Sequence, residues 1–136
     1  MLAESPEHQI IGREYPGTGM NRRETGSRYE AAAAAYLEEQ GYRILARNFR
    51  SRRAEIDIVA QEGRYLVFVE VKHRAGTRHG TGPDAVTRCK QQRICSAAAY
   101  YLRRFRISAD MPVRFDVLAI DGNGIRLIRN AFPYIL

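Results

Sequence analysis

Apolar and polar positions change period several times along this chain, and each change marks an element. Residues 1–25 mix Pro6, Pro16, Gly12, Gly17 and Gly19 with scattered charges and show no sustained period, so a flexible N-terminal extension is expected there. From Gly26 the pattern turns helical. Gly26-Ser27 can cap, Glu30 stands three residues after Ser27 as in a capping box, Ala31–Ala35 favours helix, and Gly41 stops it. Three strand-like runs follow. Tyr42–Phe49 alternates roughly, Glu55–Ala60 alternates acid with apolar, and Tyr65–Lys72 is apolar on both faces through its first half. A run of the last kind belongs in the middle of a sheet.

Gly76–Pro83 reads as a loop, after which Asp84 can cap a helix running to about Phe105. Ala85, Val86, Ile94, Ala97, Ala98, Tyr101 and Leu102 mark its buried stripe. Val113–Ile120 alternates again, Asp121-Gly122-Asn123-Gly124 turns, and Ile125–Ile128 returns. The order α-β-β-β-α-β-β describes one mixed α/β domain over residues 26–136.

The chemistry concentrates in the second and third strands. Side chains alternate along a strand, so Glu70 and Lys72 share a face, as do Glu55 and Asp57. The turn around Glu62-Gly63-Arg64 makes the two strands an antiparallel hairpin. A two-residue Gly63-Arg64 loop sets Asp57 opposite Glu70 and Glu55 opposite Lys72, and a shift to Glu62-Gly63 keeps all four on one face. Three carboxylates so placed repel unless a cation lies between them. Mg²⁺ favours one or two carboxylates plus water and phosphate oxygens, which Asp57 and Glu70 can supply. Lys72 would then stand beside the metal-bound water or the attacked phosphate.

Charge and cysteine content sharpen that picture. The chain has 136 residues, a net charge of +7 and a pI near 9.8, which suits a polyanionic partner. The excess is local: Arg43 to Arg53 holds five arginines and no acid, and Lys72 to Arg106 holds nine basic residues against Asp84 alone. Of the 22 basic residues only Lys72 and Lys90 are lysine, which raises the question of whether arginine would fail at those positions. The longest apolar runs, Ala31–Leu37 and Tyr65–Val69, fall far short of the ~18 residues a membrane span needs, so no membrane span is expected. The N-terminus lacks the basic and apolar regions of a secretory signal. Cys89 and Cys95, six apart in one helix, stand roughly 9 Å apart, too far for a disulfide. Reduced thiols and a cytoplasmic location are the expectation.

Asp57 and Glu70-Val71-Lys72, with twelve residues between Asp57 and Glu70, resemble the PD-(D/E)xK signature of restriction-endonuclease-like folds. Further blocks resemble the bacterial YraN-like family, itself similar in pattern to archaeal Holliday-junction resolvases. They include Gly41-Tyr42-Arg43-Ile44-Leu45, Asn48-Phe49-Arg50, Glu55-Ile56-Asp57, Val67 to Lys72 with Arg74, Lys90 with Tyr101-Leu102, and Arg114-Phe115-Asp116. The match covers roughly residues 25–132. Ala54 stands where the family usually has Gly, and Ile56 where the general signature has Pro; neither change removes a ligand.

The resemblance implies a mixed central sheet flanked by helices, with the site at one sheet edge. It implies that Asp57 and Glu70 bind Mg²⁺ or Mn²⁺, that Lys72 is the motif lysine, and that Glu30 is a further metal-binding acid from the first helix. The expected function is a metal-dependent DNA endonuclease or resolvase-like phosphodiesterase. Arg50, Arg52, Arg53, Arg74 and Lys90 would hold the phosphate backbone of DNA, including branched forms, for which a homodimer would suit a four-way junction. The alternatives are a nucleic-acid-binding module without cleavage and an adaptor for an acidic protein.

Several residues carry two readings from their residue type alone. Glu30 is a helix-capping acid or a ligand, Glu55 a rim acid or second ligand, and Lys90 a phosphate contact or part of a solvated helix face. His73, pointing away from the acids by alternation, and His79, in a loop, read as surface. Asp116 reads as a structural partner for an arginine. Tyr100 and Tyr101 are of a type that stacks on bases, but at helical spacing they read as one core ring and one merely exposed ring.

Overall fold

The computed structural model describes residues 22–52, 54–73 and 86–135, with side chains from Arg28 onward. Seven elements follow in order: α1 (Arg22–Glu39), β1 (Arg43–Arg50), β2 (Glu55–Glu62), β3 (Tyr65–His73), α2 (Arg88–Arg104), β4 (Val113–Asp121) and β5 (Gly124–Ile128). The strands form one sheet in the order β1-β2-β3-β4-β5. β3 and β4 run parallel with α2 as the crossover, and every other pair is antiparallel.

The two helices cover opposite faces. Ile94, Ala97, Ala98 and Tyr101 of α2 pack with Val59, Leu66, Phe68, Phe115 and Val117. Ala33, Ala34 and Leu37 of α1 pack with Ile58, Ala60, Val67, Val69, Leu118 and Ile120. β3 therefore sends Leu66 and Phe68 to one core and Val67 and Val69 to the other. That is why its sequence is apolar on both faces, and it lies mid-sheet as expected. Each such side chain stabilises the fold by roughly 1.5–3 kcal/mol.

The hairpin register is the one the two-residue turn demands. Glu62 pairs with Tyr65 across Gly63-Arg64, and Gly63 has φ +60°, a conformation glycine adopts without steric cost. Two helix starts differ from expectation. α1 begins at Arg22 and runs through Gly26 and Ser27, so Ser27 lies inside the helix and not at its N-cap position. Arg22-Arg23-Glu24 are straight-chain helix formers, and an interior glycine costs only about 1 kcal/mol. α2 starts at Arg88, capped by Thr87, whose hydroxyl accepts from the Lys90 N–H at 3.1 Å. Asp84 lies outside the described residues.

At the turn end of the hairpin a charged network ties four segments together. Asp116 is fully buried on β4 and accepts from the Tyr42 hydroxyl at 2.6 Å, Arg114 Nε at 2.9 Å, and the Asn130 backbone N–H at 2.9 Å. Arg114 Nη2 also donates to Glu62 at 2.6 Å, and Arg129 donates to the same carboxyl at 3.0 Å. Burial works against ionising Glu62, but Arg129 and Arg114 outweigh it and hold its carboxyl below the ordinary range. The arginine partner expected for Asp116 is thus Arg114, two residues earlier on the same strand.

Candidate active site

The site forms where β2 leaves β3. Their ladder stops at Ile58 opposite Val69. One residue beyond, Asp57 Oδ2 accepts from the Val71 backbone N–H at 2.8 Å, so a side chain occupies the place of the next ladder acceptor. Alternation breaks at the same point. Ile58 packs in the α1 core but Ile56 in the α2 core, although strict alternation would put both on one face. Asp57 therefore points into the gap between the strands instead of onto a flat face. Glu55 is not set opposite Lys72: it pairs with Arg50 of β1, with which it makes a 3.7 Å ion pair.

Glu70 follows Leu66 and Phe68 onto the α2 face, and its carboxyl and that of Asp57 interact electrostatically. Lys72, half-buried, lies two residues along the same strand and pairs with Ala119 of β4. Lys90, in the first turn of α2, brings Nζ to 3.5 Å from Glu70 Oε2. The crossover thus sets one of the chain's two lysines against the acids.

Glu30 enters from the other helix. It sits about two turns into α1, which ends its reading as a capping acid. Its carboxyl feels the charges of Asp57 and Glu55 and is hydrogen-bonded by Asn48. Asn48 has φ +56°, a left-handed conformation that asparagine tolerates better than most residues. Beside Glu30, the Tyr29 ring stacks on His73 with centroids 4.1 Å apart, joining α1 to the end of β3. No local sequence signal marks Asn48 or this stack, because both depend on contacts between α1 and the sheet.

Burial first, then the charge of Asp57, pushes the Glu70 carboxyl up to about 7, with Lys90 opposing. Burial and Asp57 likewise raise Glu30 to about 7, against its Asn48 hydrogen bond. Asp57 is also raised, mainly by burial, although the Val71 N–H and Glu70 oppose that. The folded chain holds these protons more tightly than an unfolded chain with glutamates at the ordinary 4.5. Their contribution to stability is complete below pH 4.5 and is lost as the pH rises through 7. Melting of the protein in a chelator should show the midpoint falling across that window, and Glu70→Gln should flatten the fall. A midpoint in wild type that rises across it would contradict this electrostatic picture.

The donor set fits a hard divalent cation that keeps several waters. Among the described residues no three of His, Cys, Asp and Glu converge as a ready-made coordination shell. Asp57 and Glu70 offer instead the one or two carboxylates that Mg²⁺ uses beside water and phosphate oxygens. Arg50, with 75% of its side chain exposed, and the exposed Arg52 flank the β1–β2 turn close to Glu55. Arg53, Arg74 and His79 lie outside the described residues.

Comparison with known proteins places this site in a family. The model for "Uncharacterised protein family UPF0102" matches residues 29–120. The chain belongs to the UPF0102 family. The resemblance to YraN-like proteins is thereby borne out. The matched segment of this UPF0102 chain takes in Glu30, Asp57, Glu70, Lys72, Lys90, Arg114 and Asp116. A UPF0102 protein of Lachnoclostridium phytofermentans is 52% identical over 113 residues, covering 83% of this chain and 96% of the relative. One from Symbiobacterium thermophilum is 51% identical, covering 83% and 98%. One from Legionella pneumophila is 41% identical, covering 80% and 94%. Among solved structures, Pyrococcus furiosus SfsA in complex with Ca²⁺ is 18% identical with a TM-score of 0.35, covering 82% of this chain and 63% of that one. A likeness that low carries no weight for function. Among the described residues no helix is long and apolar enough to cross a membrane.

Proposed function

We propose that this protein is a Mg²⁺- or Mn²⁺-dependent endonuclease of the PD-(D/E)xK kind, hydrolysing phosphodiester bonds in DNA. The observation that supports it best is the carboxyl pair of Asp57 and Glu70 in the gap between β2 and β3, with Lys72 two residues away. A divalent cation, when bound, supplies neutralising charge, a more acidic water and a polarised phosphoryl oxygen. Asp57 and Glu70 would hold it, with Glu30 as a further acid that feels the charge of Asp57. The Val71 N–H fixes the Asp57 carboxyl to rigid strand backbone, which favours precise positioning.

Lys72 places an ammonium beside the scissile phosphate and stabilises charge that builds on its oxygens. Lys90 holds Glu70 in the absence of a cation and turns to phosphate once that carboxyl has another partner. The reaction is balanced simply: water adds to phosphorus and one ester P–O bond breaks, leaving a hydroxyl and a phosphate monoester. Arg50 and Arg52 grip backbone phosphates without reading sequence. This function belongs in the cytoplasm, in keeping with the two free thiols Cys89 and Cys95. Two copies would be called for on a symmetric four-way junction.

The test is cleavage of labelled duplex, single-stranded, flap and four-way DNA in Mg²⁺ or Mn²⁺. Cuts made by wild type and lost in Asp57→Asn support the nuclease. Salt-sensitive binding without cuts on any substrate would instead assign the fold to binding alone.

A further inference from the structure

A patch of exposed rings lies on the α2 side of the sheet, beside the acids but separate from them. Tyr100 is 40% exposed and Phe105 50%, whereas Tyr101 is buried, so the two tyrosines divide as their helical spacing requires. Phe49 joins the patch, with ring centroids 5.9 Å from Tyr100 and 6.3 Å from Phe105. Phe49 also packs edge to face on Tyr101 at 5.0 Å, and Tyr101 does the same on Phe68, so the patch is anchored to the core. The Arg104 guanidinium stands 5.0 Å from the Phe105 ring centroid.

The surroundings are cationic. From residue 86 through 109 the chain carries Arg88, Lys90, Arg93, Arg103, Arg104 and Arg106 and no acid. The patch also adjoins the candidate active site: Phe49 pairs across the sheet with Ile56, the residue before Asp57, and the next pair is Arg50 with Glu55.

Exposed rings among arginines select a particular chemistry. A second copy of this chain would bring two surfaces of the same sign together, since the net charge is +7. A nucleic acid offers phosphates to the arginines and flat bases to the rings. Paired bases in a duplex have their faces already stacked, so only unpaired ones can be received. We infer that Tyr100 and Phe105 form a stacking platform for unpaired bases of a nucleic acid whose backbone follows Arg104 and Arg50. That the cut falls beside this single-stranded segment rests on the nuclease reading; the binding does not.

The test is the affinity of fluorescein-labelled oligo-dT and oligo-rU of about 12 nucleotides, beside a blunt duplex of equal length, all in EDTA. Tyr100→Leu with Phe105→Leu keeps apolar packing and removes both flat faces. Single-strand binding should weaken roughly 10- to 100-fold and duplex binding less than about 3-fold, while Tyr100→Phe retains the wild-type preference. Ring-dependent binding of either oligonucleotide supports the platform, and the tighter one names the sugar. Equal weakening on single strand and duplex, or none on single strand, would overturn it. So would a wild-type dimer in sedimentation that the leucine variant turns into a monomer, since the rings would then serve self-association. Wild type that binds in this ring-dependent way but never cuts sinks the nuclease and leaves the platform. Wild type that cuts but binds independently of the rings sinks the platform alone.

Discussion

Asp57→Asn and Lys72→Ala are each expected to lower DNA cleavage by at least about 10³-fold, because each removes a group that acts on the reacting phosphate or its cation. The two variants should part company on metal. Asp57→Asn removes a carboxylate ligand and with it the rise in melting temperature that Mn²⁺ gives wild type. Lys72→Ala leaves both acids in place and should keep that rise. Asparagine can still accept from the Val71 N–H, so Asp57→Asn should fold normally. Without metal at pH 8 it should gain roughly 0.5–2 kcal/mol, as a charge is removed from a crowded acidic pair. Lys72→Arg keeps the charge but enlarges the head group and should recover little of the activity. Lys90→Ala, one step further from the phosphate, should cost less, about 10- to 100-fold. Retention of cleavage in both Asp57→Asn and Lys72→Ala would show that the acids and the lysine have no part in the reaction.

The second large effect concerns stability and lies in the buried network around Asp116. Asp116→Ala is expected to destabilise the protein by about 3–5 kcal/mol, because Arg114 is left with one fewer partner in a largely buried position. The Tyr42 hydroxyl and the Asn130 N–H lose their acceptor as well. A fall of roughly 10–20 °C in melting temperature is the corresponding observable for a domain of this size. Arg114→Leu combined with Asp116→Leu should cost less than either single change, since no unpaired buried charge remains. Urea unfolding measures all of these as shifts in midpoint at constant slope. Single variants within about 1 kcal/mol of wild type would mean the network adds little.

Much of this architecture is legible in the chain because it is written locally. The β3 run is apolar on both faces since both helices cover it, and the two-residue turn at Gly63-Arg64 sets the register that brings Asp57 towards Glu70. What escapes a local reading is non-local in cause. The period of Glu55–Ala60 looks regular, yet Ile56 and Ile58 serve different cores because β2 pairs with β3 only from Ile58 onward. Lys90 reaches Glu70 only because a parallel crossover returns α2 over the end of β3. Gly26 and Ser27 carry the composition of a helix start, and only the continuation of α1 back to Arg22 shows that they are interior. That same continuation takes Glu30 away from the helix terminus and leaves it facing Asp57.

The most direct test of the central claim, that Asp57 and Glu70 together form a cation site, is calorimetric titration of Mn²⁺ into the metal-free protein at pH 8. Expected is saturable binding to wild type that disappears in both Asp57→Asn and Glu70→Gln while Lys72→Ala retains it. Binding of equal strength in wild type and both acid variants would contradict the claim, because the cation would then be held elsewhere.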